Sequence, residues 1–230
     1  MGYMFDLHVH TNYSPDSNMS IRALVKSALK RGLSGIAITD HETVKGGLAV
    51  RDYCTSHNIP LQVIVGQEKK TNSGEILALF VEKEITARDI IKAIGEVRAQ
   101  NGLLVLPHPL RNNPKILSYL QEFDFIEGFN SRTLHNANLK ALELAKRHGK
   151  KVLAGSDAHF PREVGKNVVI FTTIDDIKNQ LLEGDYTLKF TKRSWIDIIC
   201  AACSSAYIKG GSLYLTKQVL KKLLKKCISL

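Results

Sequence analysis

The chain has 230 residues, 44% hydrophobic and 23% charged, enough for one domain with a sizeable buried core and unlike a disordered chain. No run approaches the roughly 20 apolar residues that cross a bilayer. The opening Met1-Gly2-Tyr3-Met4-Phe5-Asp6 lacks the basic and apolar regions of a secretory signal, so a cytoplasmic protein is expected and its four cysteines predict no disulfide framework.

Residues 5–10 alternate like a strand that ends in polar side chains. Ile21, Leu24, Val25, Ala28 and Leu29 have helical spacing, which predicts a helix over 19–31 with Asn18 or Ser20 as its cap and Gly32 as its stop. Residues 35–39 form a continuously apolar run, as in a strand buried on both faces. A helix over 44–57 and a strand over 61–65 follow. Thr71-Asn72-Ser73-Gly74 reads as a turn ahead of a strand over 76–81. Thr86 is expected to cap a helix over 87–100, and residues 103–106 form the next strand. Beyond Pro107-His108-Pro109 the pattern predicts a short helix over 114–121, a strand over 124–129 and a helix over 136–148. Strands over 151–154 and 168–171 complete the body. Strand and helix alternate about seven times, which predicts parallel strands with helical crossovers in a barrel or a doubly wound sheet.

The remaining residues are strongly basic: from 186 to 230 there are nine Lys or Arg against Asp197 alone, a local excess of +8 in a chain of net charge +10. Lys221, Lys222, Lys225 and Lys226 interleave with Val219, Leu220, Leu223, Leu224 and Ile228 as in an amphipathic helix, expected to pack on the body. Cys200 and Cys203 have C-x-x-C spacing with no second pair, and read as two small apolar side chains on one helical face.

The polar residues are placed in a pattern. His8 and His10 end the first strand, and Asp40 and His41 follow the second. Glu68 follows the third, and His108 follows the strand after the long helix. Glu127 and Asn130 end the next, and Asp157 and His159 follow residue 154. In a β/α barrel all of these positions meet at the C-terminal face, where active sites are built. His8-Val9-His10 puts both imidazoles on one side of a strand, because side chains alternate with period two. Imidazole with carboxylate suits Zn, Mn or Fe more than Ca or Mg. Eight candidate ligands exceed the needs of one tetrahedral ion, so a multinuclear site is expected, of the kind that activates water and clamps phosphoryl oxygens.

Asp6-Leu7-His8-Val9-His10-Thr11, Ser14-Pro15-Asp16-Ser17, Thr39-Asp40-His41, Gly66-Gln67-Glu68, Pro107-His108-Pro109 and Gly155-Ser156-Asp157-Ala158-His159 resemble, in order, the motifs of the polymerase-and-histidinol-phosphatase (PHP) family. The resemblance runs from residue 6 to about 165. It implies an α/β fold, a distorted (β/α)7 barrel, with two or three divalent transition-metal ions (Mn, Fe or Zn). By position His8, His10, Glu68 and Asp157 would hold a first ion, and Glu68 would bridge to a second at His108. Asp16, His41 and His159 would hold a third. Asp16 stands where many relatives have histidine and resembles the branch that acts on nucleotides and other small phosphate esters. Asn130 stands where many relatives supply the second ion with another histidine, which leaves that ion with a weaker set or one completed by water or by His135.

The expected activity is hydrolysis of phosphomonoesters or short nucleotides by a metal-activated hydroxide. Arg111 and Arg132, and also Arg162, would neutralise charge on the phosphoryl group. Asp40 would orient a ligand or touch the leaving group. The alternatives are an exonuclease on RNA or DNA, which the basic tail would suit, and a non-catalytic metal-binding subunit. Residues 1–185 are expected to form the phosphoesterase domain and 186–230 a basic helical extension.

Overall fold

The computed structural model describes residues 2–191. Most of the basic extension expected over 186–230, including its amphipathic helix and Cys200, Cys203 and Cys227, lies outside the described residues.

The elements run β1 (Tyr3–Val9), α1 (Ile21–Lys30), β2 (Gly35–Ile38), α2 (Lys45–Ser56), β3 (Gln62–Lys70), β4 (Glu75–Leu79), α3 (Ile90–Ala99) and β5 (Leu103–Leu106). A 3-10 helix (Pro114–Glu122) follows, then β6 (Phe125–Asn130), α4 (His135–Arg147), β7 (Lys151–Gly155), β8 (Val168–Phe171), α5 (Ile177–Glu183) and β9 (Tyr186–Lys189). Ser20 caps α1 by accepting the Ala23 N–H. The helix expected from residue 87 starts three residues later. Asp89 accepts the Lys92 N–H there, while Glu96 takes the backbone N–H of Thr86. Thr86 therefore lies within the loop before α3 and does not cap the helix.

One mixed sheet has the order β7-β6-β5-β4-β3-β2-β1-β8-β9. The expected parallel pairing runs through β1, β2 and β3 and through β5, β6 and β7, but β4 is antiparallel to both β3 and β5, and β8 to both β1 and β9. The hairpin through Thr71–Gly74 is too short for a helical crossover, so β4 must run back along β3. Glu68 accordingly lies inside β3, opposite Leu77, and not after a strand end. β9 begins at Tyr186 and pairs along β8, so the sheet continues past residue 185.

The sheet curls until its two halves meet. Val9 of β1 bridges Ala158 in parallel, the His10 N–H donates to the Ala158 carbonyl at 2.9 Å, and the Asp157 N–H donates to the His8 carbonyl at 2.8 Å. Gly155 permits this approach, since a Cβ there would stand 2.5 Å from the His8 Cβ. The result is a nearly closed barrel. One buried cluster draws on every strand from β1 to β8, among them Phe5, Leu77, Val105, Phe125 and Phe171, and α5 adds Ile177 and Leu181. Among the described residues no helix is long and apolar enough to cross a membrane.

Candidate metal centre

Glu68 is the hub of the site. Its Oε2 lies 3.3 Å from both His8 Nε2 and His10 Nε2 and 3.4 Å from His41 Nδ1, and its Oε1 lies 3.0 Å from His108 Nε2. Asp157 Oδ1 approaches His10 Nε2 at 3.5 Å and His8 Nε2 at 3.8 Å. On the far side of His10, Asp16 Oδ2 lies 3.0 Å from His159 Nε2 and 3.5 Å from His41 Nε2. All eight residues expected as ligands thus converge from five strands and the turns after them. Among the described residues three groups are compact enough to hold an ion: His8, His10 and Glu68; His10, His41 and His159; and Glu68, Glu75 and His108.

The imidazoles are aimed by partners on their other nitrogen. His8 Nδ1 donates to Glu127 Oε1 at 2.9 Å. His10 Nδ1 donates to Ser14 Oγ at 3.1 Å, and the Ser14 hydroxyl donates in turn to Asp40 Oδ1 at 2.7 Å. Ser14 Oγ also accepts the His41 backbone N–H at 3.0 Å. Asp40 is fully buried, and Thr11 occupies it further through its N–H at 2.6 Å and its hydroxyl at 2.7 Å. Gly46 gives that carboxylate its room, because a Cβ there would collide with it. Asp40 therefore reaches the imidazoles through Ser14.

These bonds decide what the site can hold. With both Nδ1 atoms committed as donors, the Nε2 atoms of His8 and His10 face each other across 3.1 Å. Glu68 Oε2 and Asp157 Oδ1 point into the same space. These two nitrogens and two carboxylate oxygens are donors of the kind a transition-metal ion takes. Burial opposes a proton on His8, but Glu127, Glu68 and Asp157 outweigh it and raise His8 well above its ordinary value, so an ion bound here would displace that proton. Two buried atoms in the same cluster, Asp16 Oδ1 and His108 Nδ1, have no hydrogen-bond partner.

The charges agree. Burial would keep Glu68 protonated, but His8, His10 and His108 outweigh it and hold the carboxyl well below the usual range. Asp157 is also held low against burial, by His8 and Arg111. Burial opposes a proton on His41, yet its bond to Asp16, helped by the Glu68 charge, raises it to about 9. Burial and then the neighbouring His10 lower His159 to about 4, leaving a neutral ring beside Asp16.

The arginines border this cluster. Arg111 Nη2 donates to Asp157 Oδ2 at 2.8 Å, with 37% of its side chain open to solvent. Arg132 Nη1 lies 2.6 Å from His159 Nδ1. Arg162 is held by its backbone, whose carbonyl accepts from Arg31 at 2.6 Å. Asn130 is buried with its amide in use: Nδ2 donates to Glu127 at 3.0 Å and Asp157 at 3.2 Å, and Oδ1 accepts the Arg132 N–H at 2.9 Å. His135 is exposed on the first turn of α4 and belongs to none of the three groups. Sequence reasoning missed Glu75, and missed that Ser14 and Glu127 aim the two histidines. Ser14 and Glu127 could have been flagged as polar residues flanking the motifs, whereas Glu75 carries no spacing signal. A cavity of about 530 Å³ opens beside His41 and Glu75, with Lys70, Asn72 and Arg88 on its wall.

A family model described as PHP domain matches residues 6–228, well beyond the stretch that carries the motifs. An uncharacterized protein of Methanocaldococcus jannaschii is 36% identical over 182 residues, covering 74% of this chain and 71% of that one. A two-domain protein of Bacteroides vulgatus, described as containing a predicted PHP-like metal-dependent phosphoesterase, superposes with a TM-score of 0.68 at 18% identity. The likeness covers 83% of this chain and 65% of that one, so this chain spans about two thirds of that structure. An amidohydrolase of Chromobacterium violaceum with bound sulfate gives 0.59 at 17% identity, over 80% of this chain and 97% of that one. At these identities the two structures speak for the fold, and the family match speaks for descent: the chain belongs to the PHP domain family.

Proposed function

We propose that this chain is a metal-dependent phosphoesterase acting on phosphomonoesters or short nucleotides. The observation that carries the reading is the convergence of His8 Nε2, His10 Nε2, Glu68 Oε2 and Asp157 Oδ1 on one space that a metal ion would fill. The description of the Bacteroides vulgatus protein as a metal-dependent phosphoesterase supports it. His8, His10, Glu68 and Asp157 would hold a first ion, Asp16, His41 and His159 another, and His108 with Glu68 would face a third. Bound Mn, Fe or Zn would supply Lewis-acid charge to phosphoryl oxygens and activate water at neutral pH.

The protein's own residues do the rest. Glu127, Ser14 and Asp40 keep the imidazoles aimed. Lys70 and Arg88 line the adjoining cavity together with Glu42 and Glu75, and would meet the anionic part of a substrate while bound metal offsets the carboxylates. About 530 Å³ is in the range of small-molecule sites and would seat a nucleotide. Arg111 and Arg132 stand close enough to share charge with a phosphoryl group beside Asp157 and His159. Cys54, a buried free thiol, suits a reducing compartment such as the cytoplasm.

The test is a substrate panel with Mn, Fe or Zn: sugar phosphates, nucleoside monophosphates, a phosphodiester and a short oligonucleotide. Phosphate released from the monoesters or mononucleotides is the expected result. Cleavage of the oligonucleotide alone would make the enzyme a nuclease, and no turnover of any ester would overturn the reading.

A further inference from the structure

One amide ties the start of β4 to the turn that carries His108. Asn112 Oδ1 accepts the Glu75 N–H at 2.8 Å, and Asn112 Nδ2 donates to the Glu75 carbonyl at 2.8 Å. The residue before it, Gly74, has φ 143°, and a Cβ there would stand 2.5 Å from Asn112 Oδ1. Glu75 is thus gripped at both backbone polar atoms by a residue four positions after His108. His108 is itself fixed: its φ is 29° and its N–H donates to Glu127 Oε2 at 2.9 Å.

This scaffold sets a carboxylate opposite an imidazole. Glu75 Oε2 lies 4.0 Å from His108 Nε2, which lies 3.0 Å from Glu68 Oε1. The three ligand atoms fall within 4.8 Å of one another. Bonds of about 2.0–2.2 Å to one ion put its ligands roughly 3–4 Å apart, and both carboxylates stand at that spacing from His108 Nε2. The Glu75 carboxylate has no hydrogen-bond partner among the described residues, although 68% of its side chain is covered (relative exposure 32%). Asn130, where the family resemblance leads one to expect a histidine, has both ends of its amide committed elsewhere.

We propose that Glu75 is a metal ligand, completing with Glu68 and His108 the second ion site in place of the missing histidine. The inference rests on the metal-dependent reading of the centre. Two carboxylates and one imidazole make a harder donor set than one carboxylate and two imidazoles, so this site favours Mn or Fe over Zn. Glu75 also lines the cavity, so the ion it holds would face the bound substrate.

The experiment counts ions. The full chain, Glu75→Ala and Glu75→His are stripped, reloaded with Mn and dialysed, and metal per chain is measured together with the dissociation constants by chelator competition. Glu75→Ala should lose one ion per chain, or bind it at least tenfold more weakly, with an unchanged melting temperature of the stripped protein. Glu75→His should recover the ion and shift its preference towards Zn. If Glu75→Ala keeps the same number of ions at the same affinities while His10→Ala loses them, Glu75 is no ligand and the metal-dependent reading stands. If the unaltered chain retains no transition metal, both fall.

Discussion

Glu127 Oε1 lies 2.9 Å from His8 Nδ1, both groups fully enclosed. A carboxylate only accepts, so Nδ1 carries a proton and Nε2 is the ring atom turned towards Glu68, His10 and Asp157, where it would bind an ion. The same carboxylate holds the His108 backbone N–H and the Asn130 amide through its other oxygen. Glu127 thus aims two ligand-bearing segments without being placed to bind an ion itself. Glu127→Gln would present an amide that can donate to His8 and reverse the tautomer. Metal affinity should fall about 10–100-fold. Chelator competition reads it, and an unchanged affinity contradicts this role.

His10 and Asp157 belong to the most enclosed part of the centre. His10→Ala or Asp157→Ala should abolish hydrolysis and remove at least one ion per chain. Phosphate release and metal content, measured on protein with its fold checked by circular dichroism, test this. Retained turnover in either variant contradicts the assignment of the site.

Metal binding should depend on pH. In the metal-free chain His41 is raised from 6.5 to about 9, so it carries a proton at neutral pH that an ion must displace. The stabilising effect of the protonated His41–Asp16 pair is complete below 6.5 and is lost as pH rises through about 9. Affinity should therefore strengthen across this window as the metal-free protein becomes less stable. Calorimetry between about pH 6.5 and 8.5, in buffers with different heats of ionisation, should show proton release. Binding without released protons contradicts it.

The barrel closes where β7 meets β1, and Gly155 has no room for a side chain. Gly155→Ala would put a Cβ 2.5 Å from the His8 Cβ and 2.7 Å from Glu127 Oε1. Overpacking of this kind costs about 1–3 kcal/mol. Urea unfolding should show that loss, accompanied by weaker metal binding because His8 is displaced. An unaltered midpoint would mean the two strands are not so closely apposed.

Lys70 and Arg88 line the same cavity that His41 and Glu75 border. Replacing either by Ala should raise KM on the order of tenfold with kcat nearly unchanged, as expected when ground-state and transition-state binding are lost equally. The effect should shrink at high salt, where exposed charges are screened. A fall in kcat instead would place these residues at the reacting group.

The candidate metal ligands were legible because their types are rare and their spacing is constrained. His8-Val9-His10 and Asp157-Ala158-His159 each put a pair of ligands into one site, and a barrel gathers strand ends wherever they fall in the chain. The sheet's direction was less legible. Gln67, Glu68 and Lys69 are polar yet buried within β3, so the sequence ends that strand near residue 65, and the turn at Thr71–Gly74 is legible while the antiparallel pairing it joins is not. Glu75 was not legible at all. It is a glutamate after a turn, and only the grip of Asn112, 37 residues away, sets it beside His108.

The central claim is that this cluster of imidazoles and carboxylates hydrolyses phosphate esters with bound metal. Inorganic phosphate released from a nucleoside monophosphate by the full chain, measured as purified, after metal removal and after Mn is restored, tests it most directly. The account predicts turnover that disappears with the metal and returns with it. Turnover indifferent to metal removal, or none in any of the three states, would contradict it.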